Sequence, residues 1–125
     1  MHAKKEDIEM IDRLKKRSDF LRVGKENDKW ISKILILQKT ENKQNADKIN
    51  FGITVSKKVS KLAVKRNKIR RRLKNAAYEI FSQYAQNNID FVIIARSNIL
   101  NADFAEIKKD LKWCLKRMDS RSSRV

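Results

Sequence analysis

The chain has one cysteine, one histidine, two glycines and no proline in 125 residues. A single thiol, Cys114, excludes an intrachain disulfide and cannot by itself build a zinc site. With only Gly24 and Gly52 there is no glycine-rich loop to cradle a nucleotide phosphate. The one histidine is His2, at the extreme N-terminus, so neither a Ser–His nor a Cys–His nucleophile pair is at hand. Long apolar runs are missing too. The longest is Phe91–Ala95, five residues, against the roughly 20 that a membrane helix requires. The segment Met1–Leu14 alternates charges with single apolar residues and has no signal-peptide core. Acidic side chains are absent from Lys48 through Tyr78, whereas eleven lysines and arginines fall in that stretch. A carboxylate pair holding catalytic magnesium is therefore not expected there.

What the chain has is positive charge: 31 Lys and Arg against 15 Asp and Glu, a formal net charge of +16. That much self-repulsion on one small domain points to a polyanionic partner. Nucleic acid fits best, because a merely solvated face would mix signs and this one does not. An anionic membrane surface and a bland basic domain are the alternatives. The 41% hydrophobic fraction supplies a core, so the expectation is one soluble, intracellular, folded domain.

Along the chain, Ile8, Met10, Ile11 and Leu14 are spaced for one face of a short helix. Ser18 and Asp19 offer an N-cap for a helix carrying Phe20, Leu21 and Val23, which Gly24 would close. Trp30–Leu37 reads as a β-strand, and Lys39–Lys48 as a hairpin loop. Strict alternation follows: Phe51, Ile53 and Val55 to one side, Asn50, Gly52, Thr54 and Ser56 to the other, a half-buried strand with a polar outer face. From about Val64 the period becomes helical, with Ile69, Leu73, Ala76, Ala77, Ile80, Phe81 and Tyr84 on one stripe. Asn67, Lys68, Arg71, Arg72 and Lys74 lie opposite, with Arg66 and Arg70 at the edge, and Asn87–Asn88 ends the segment. Phe91–Ala95 is a central strand, and Asn101 would cap a last helix bearing Phe104, Ile107, Leu111, Leu115 and Met118. Cys114 on that helix reads as a small core residue. The order gives an α+β fold, a small two-layer sandwich in which helices pack on a mixed four-stranded sheet. Residues 1–12 are expected to be a mobile extension, 13–118 the domain and 119–125 a disordered tail.

Single-stranded RNA is held by cations that track phosphates and by aromatic faces that stack on bases. The helix after Lys65 supplies the first, while Phe20 and Trp30 are candidates for the second. Asn67 can present both a donor and an acceptor beside the arginines.

The stretch Phe51–Ala76, FGITVSKKVSKLAVKRNKIRRRLKNA, resembles the signature of the bacterial ribonuclease P protein subunit. That pattern is a Gly-x-x-Val-Ser-Lys-Lys strand, an Ala-Val pair and an Arg-Asn-Arg helix. Here it is met by Gly52, Val55, Ser56, Lys57, Lys58, Ala63, Val64, Arg66, Asn67 and Lys68. Arg13-Leu14-Lys15-Lys16, Asp19-Phe20 and Asp90–Arg96 extend the likeness, which spans residues 13–118.

The resemblance implies a left-handed strand–helix–strand crossover, against the general rule. It implies membership of a cytoplasmic ribonucleoprotein endonuclease in which a catalytic RNA, with its own magnesium, removes the 5′ leader of precursor tRNA. The polypeptide would then have no catalytic site and bind no metal or other cofactor of its own. Lys57, Lys58, Arg66, Asn67, Lys68, Arg70, Arg71 and Lys74 become the expected RNA contacts, and Phe20, Thr54 and Ser56 the leader cleft. No membrane and no obligate protein partner are implied. Lys68 replaces an arginine of the pattern, and Gly24 stands where a second cleft aromatic is usual. Leu37 and Gln38 occupy the place of a tyrosine, with Trp30 a substitute from a shifted position. A ribosomal or RNA-chaperone protein of similar fold, and an independent nuclease, are the rival readings.

Overall fold

The computed structural model describes residues 11–26, 28–42, 48–86 and 88–122, the side chains of 120–122 excepted. In chain order the elements are β1 (Ile11–Arg13), α1 (Arg17–Lys25), β2 (Lys29–Ile31), β3 (Leu35–Glu41), β4 (Ile49–Thr54), α2 (Ala63–Tyr84) and β5 (Ile89–Ala95), then a 3-10 turn (Ser97–Asn101) and α3 (Phe104–Ser122). The strands form one mixed sheet in the order β1-β4-β5-β3-β2. β5 takes the centre because Phe91, Val92 and Ile93 bury both of its faces. β4 runs parallel to it, pairing Phe51 with Phe91 and Ile53 with Ile93, and α2 is the crossover between them. β3 runs antiparallel on the other side, pairing Leu37 with Ile93.

The main core lies between one sheet face and helices α2 and α3. Leu35, Leu37, Phe51, Phe91 and Ile93 meet Ile69, Leu73, Ala76, Ala77, Ile80 and Phe81 of α2, and Ile107, Leu111, Cys114, Leu115 and Met118 of α3. Phe81 joins the layers, stacked on Phe91 at 4.4 Å and edge-on to Phe51 at 5.8 Å. Both helical stripes thus stand as the sequence patterns predict, with Tyr84 the exception: it is exposed at the end of α2. In β4, Phe51 is buried and Thr54 exposed as the alternation predicts, but Asn50 and Gly52, expected on a polar outer face, are buried too, and Ile53 is half-buried.

The α+β sandwich is the architecture found, with five strands where four were expected. Beyond the three runs read as strands, β1 is one addition, and Trp30–Leu37, which is broken by a turn rather than continuous, supplies the other. Ser32 Oγ donates to the Leu35 carbonyl at 3.0 Å and accepts from the Leu35 amide at 3.2 Å. That serine folds β2 back onto β3, pairing Trp30 with Leu37. β3 then continues through Glu41, into the stretch that reads as loop.

Ile11 belongs to a strand and not to a helical face, while Ile8 and Met10 lie outside the described residues. β1 pairs parallel with β4, Ile11 opposite Ile49, and the Leu14 amide donates to the Phe51 carbonyl at 2.8 Å. Strand pairing across the chain outweighs a local period of only four residues. The sheet therefore includes Ile11 and Asp12, two residues before the expected domain start, and α3 continues past 119 to Ser122. Helix ends shift as well. Lys16 rather than Ser18 precedes α1, and Gly24 lies inside it, with Glu26 at its end. At α3 the cap is Asp103, whose Oδ1 accepts from the Glu106 amide at 2.8 Å, and Asn101 ends the 3-10 turn instead.

Candidate nucleic-acid interface

Helix α1 crosses the sheet face opposite α2 and α3, so the helices do not all lie on one side. Gly52 decides where it sits. A Cβ at that position would overlap the Phe20 ring, so the ring lies directly against the β4 backbone. Val23, fully buried, completes the α1 contact. Thr54, two residues along the same face, is exposed, and so is Ser56 just past the strand end. Phe20 is itself half-buried. The three residues assigned to a cleft therefore share one open face beside α1. Trp30 does not join them. It pairs with Leu37 on the core face and meets Trp113 edge-on at 5.8 Å. Leu37 is buried in the core, Gln38 points to the α1 face, and a side chain at Gly24 would meet open space.

An ionic latch absent from the sequence analysis holds α1 down. Asp90 is 1% exposed, and its carboxylate accepts from Arg22, from Asn50 Nδ2 at 2.9 Å and from Asn42 Nδ2 at 3.0 Å. Asp90 hydrogen-bonded to Arg22 raises the guanidinium's pKa above its usual value. A buried carboxylate needs this many donors. The only local sign in the sequence was an acid opening an otherwise apolar strand. The same residues border a groove of about 700 Å³ between α1 and the sheet, with Lys15 and Lys16 on its rim.

On the other side of β4, α2 begins at Ala63 without a side-chain cap and without an acidic residue in its first turn. Lys57, Lys58, Asn67, Lys68 and Arg71 are exposed, and Lys74 is half-buried. Arg66 and Arg70 do a different job. Arg66 Nη1 donates to the carbonyls of Ser60 and Lys61 at 3.0 and 2.9 Å. Arg70 donates to Asn67 Oδ1 at 2.8 Å and to the Val55 carbonyl at 3.3 Å. The two arginines pin the 55–62 segment to the helix, and Asn67 is held with its acceptor used and its amide donors outward. Leu62 and Val64, 58% and 80% exposed, add apolar surface among these cations that charge counting did not reveal.

Among the described residues no activated nucleophile emerges. Cys114 is fully buried, and burial pushes its thiol up to about 11, so it stays protonated near neutrality. Among the described residues no three His, Cys, Asp or Glu side chains converge as a metal site, and no helix is long and apolar enough to cross a membrane.

An open α1–sheet face thus lies beside a helix whose first turn lacks an acid. The sequence matches the Ribonuclease P family over residues 9–119. The chain belongs to the ribonuclease P protein family. The ribonuclease P protein component of Paramagnetospirillum magneticum is 41% identical over 111 residues, covering 86% of this chain and 83% of that protein. That of Alkaliphilus oremlandii is 33% identical, covering 94% and 100%. Among solved structures, the Staphylococcus aureus RNase P protein superimposes with a TM-score of 0.72 at 29% identity, covering 83% of this chain and 92% of that one. The Thermotoga maritima RNase P protein gives 0.68 at 27% identity, covering 84% and 96%. As a ribonuclease P protein component, the chain is a subunit of a tRNA-processing ribonucleoprotein endoribonuclease.

Proposed function

We propose that this subunit binds the catalytic RNA through Lys57, Lys58, Lys68, Arg71 and Lys74, and holds the precursor-tRNA leader on the open face formed by Phe20, Thr54 and Ser56. Arg66, Asn67 and Arg70 set the shape of the RNA-binding segment and offer their remaining donors. The observation that carries this reading is the Phe20 ring lying on Gly52, next to exposed hydroxyls, with a helix whose first turn holds no acid one strand-end away. A base can stack on the ring while cations neutralise the phosphates beside it. The chemistry belongs to the RNA and its magnesium. The protein's cations take over part of the phosphate screening, which lowers the magnesium that the RNA requires. The assembly works in the cytoplasm.

Reconstitution tests the proposal. Adding the protein to a bacterial ribonuclease P RNA should restore leader cleavage at low magnesium, and protein alone should leave precursor tRNA intact. Cleavage by the protein alone, or no effect on the RNA enzyme, would overturn it.

Two surfaces predict two phenotypes. Phe20→Ala should remove about 1–3 kcal/mol of base stacking, seen with leader-bearing precursor and not with mature tRNA. Gly52→Ala should reproduce that defect with the ring still present, because the new methyl pushes it off the sheet. If either variant mainly lowers the melting temperature and spares leader discrimination, Phe20 is packing and not a platform.

Arg71→Ala should behave differently. The side chain is exposed, so stability should change by no more than about 0.5 kcal/mol. Affinity for the RNA subunit should fall for every substrate, and the slope of log K against log salt should flatten by about 0.7–0.9. An unchanged slope would remove Arg71 from the interface.

A further inference from the structure

Trp113 belongs to neither surface above. It keeps 41% of its area exposed, with the Arg117 guanidinium 5.4 Å over its ring. Between this ring and the β2–β3 turn lies a cavity of about 400 Å³, lined by Ile31, Ser32, Lys33, Arg96 and Lys109 as well as Trp113. Three cations thus face it against one carboxylate, Asp110. The walls are rigid. Arg96 Nη1 donates to the Ser32 carbonyl at 2.6 Å and the Arg96 amide to the Ile34 carbonyl at 2.9 Å.

Hydrogen bonds also tie the cavity mouth to the basic segment. Asn98 Nδ2 donates to the Lys33 carbonyl and Ser97 Oγ to the Lys58 carbonyl, both at 3.4 Å. The 3-10 turn therefore bridges the Lys57–Lys58 segment and the cavity mouth.

We propose that this cavity receives an unpaired nucleotide of the RNA subunit, its base stacked on Trp113 and its flanking phosphates against Lys33 and Lys109. An exposed aromatic ring rimmed by cations is what single-stranded nucleic acid requires. A second copy of the chain is disfavoured, because both partners would bring the same positive rim on a body of net charge +16. The leader is not the occupant, because its face lies across the sheet beside α1. The inference rests on the reading that the chain binds the RNA subunit.

The test measures binding of full-length protein to labelled ribonuclease P RNA at fixed salt, without precursor tRNA. Trp113→Ala should weaken binding about fivefold or more, since one stacked base is worth a factor of about 5 to 150. Trp113→Phe should recover most of it. The double variant Lys33→Glu and Lys109→Glu, both exposed sites, keeps the ring and the fold, and should weaken binding and flatten the salt slope. RNA carrying 5-iodouridine should crosslink to Trp113. Wild-type affinity in both Trp113→Ala and the double variant would overturn the inference. So would a defect confined to leader-bearing precursor, or one seen only with an acidic protein partner. Arg71→Ala is the control. If it weakens binding and the cavity variants do not, this inference alone falls; if it also binds as wild type, the proposed interface falls first.

Discussion

Raising salt from 50 to 200 mM should weaken the complex with ribonuclease P RNA about a thousandfold or more. The expectation follows from counting. Lys57, Lys58, Lys68, Arg71 and Lys74 present their charges from the α2 side, and Arg66 and Arg70 bring the group to seven. No acid in the first turn of α2 offsets them. Each phosphate neutralised releases a counterion and contributes roughly 0.7–0.9 to the slope of log K against log salt. Six or seven contacts over a fourfold change in salt give about three powers of ten. Titrations at several salt concentrations with magnesium held constant would measure the slope. A slope below about 2 would mean that shape or stacking, and not phosphate neutralisation, holds the RNA.

Phe81→Ala should cost about 3–5 kcal/mol of folding stability, among the largest penalties for a single core truncation. Phe81 is fully buried and touches two strands at once, stacked on Phe91 and edge-on to Phe51. No neighbouring element can collapse into the space without shifting α2 along the sheet. For a domain of this size the melting temperature should drop by about 10–20 °C. Below that transition the cations on the far side of α2 are untouched, so RNA affinity should stay within about twofold of wild type. A loss of affinity in the folded variant would show that the helix position, and not only its charge, is tuned by the aromatic stack. A penalty under about 1 kcal/mol would mean that the core repacks far more freely than three interlocked rings allow.

Much of this arrangement was legible before any coordinates. The period-two pattern around Phe51, the helical stripe from Ile69 to Phe81 and the apolar run at Phe91 each report a burial environment, and burial is what hydrophobic patterning encodes. The basic stretch was legible for the same reason, since charge without compensation has no structural explanation. Partners across the chain were not. Nothing local in Ile11-Asp12-Arg13 shows that a three-residue segment will pair with β4, or that Ser32 will split a run of strand-forming residues. Asp90 illustrates the limit most clearly. Its donors come from positions 22, 42 and 50, three separate segments that only the finished sheet brings together. Phe20 was a candidate as an aromatic in the polar N-terminal half and again by likeness, whereas its seat on Gly52 is a contact between two faces that no periodicity predicts.

Strand order also carries a consequence for how the chain is made. β5, which separates β4 from β3 in the sheet, is the last strand to be synthesised. Until it emerges, the ribosome has released two strand pairs, β1 with β4 and β2 with β3, that share no strand-to-strand hydrogen bonds. The basic segment 57–74 is made about one to four seconds ahead of the end of the strand that completes its support, at ordinary elongation rates of roughly 5–20 residues per second. Nascent chains of this protein thus display their polyanion-binding charge before they have a domain to carry it, in an environment built largely of RNA.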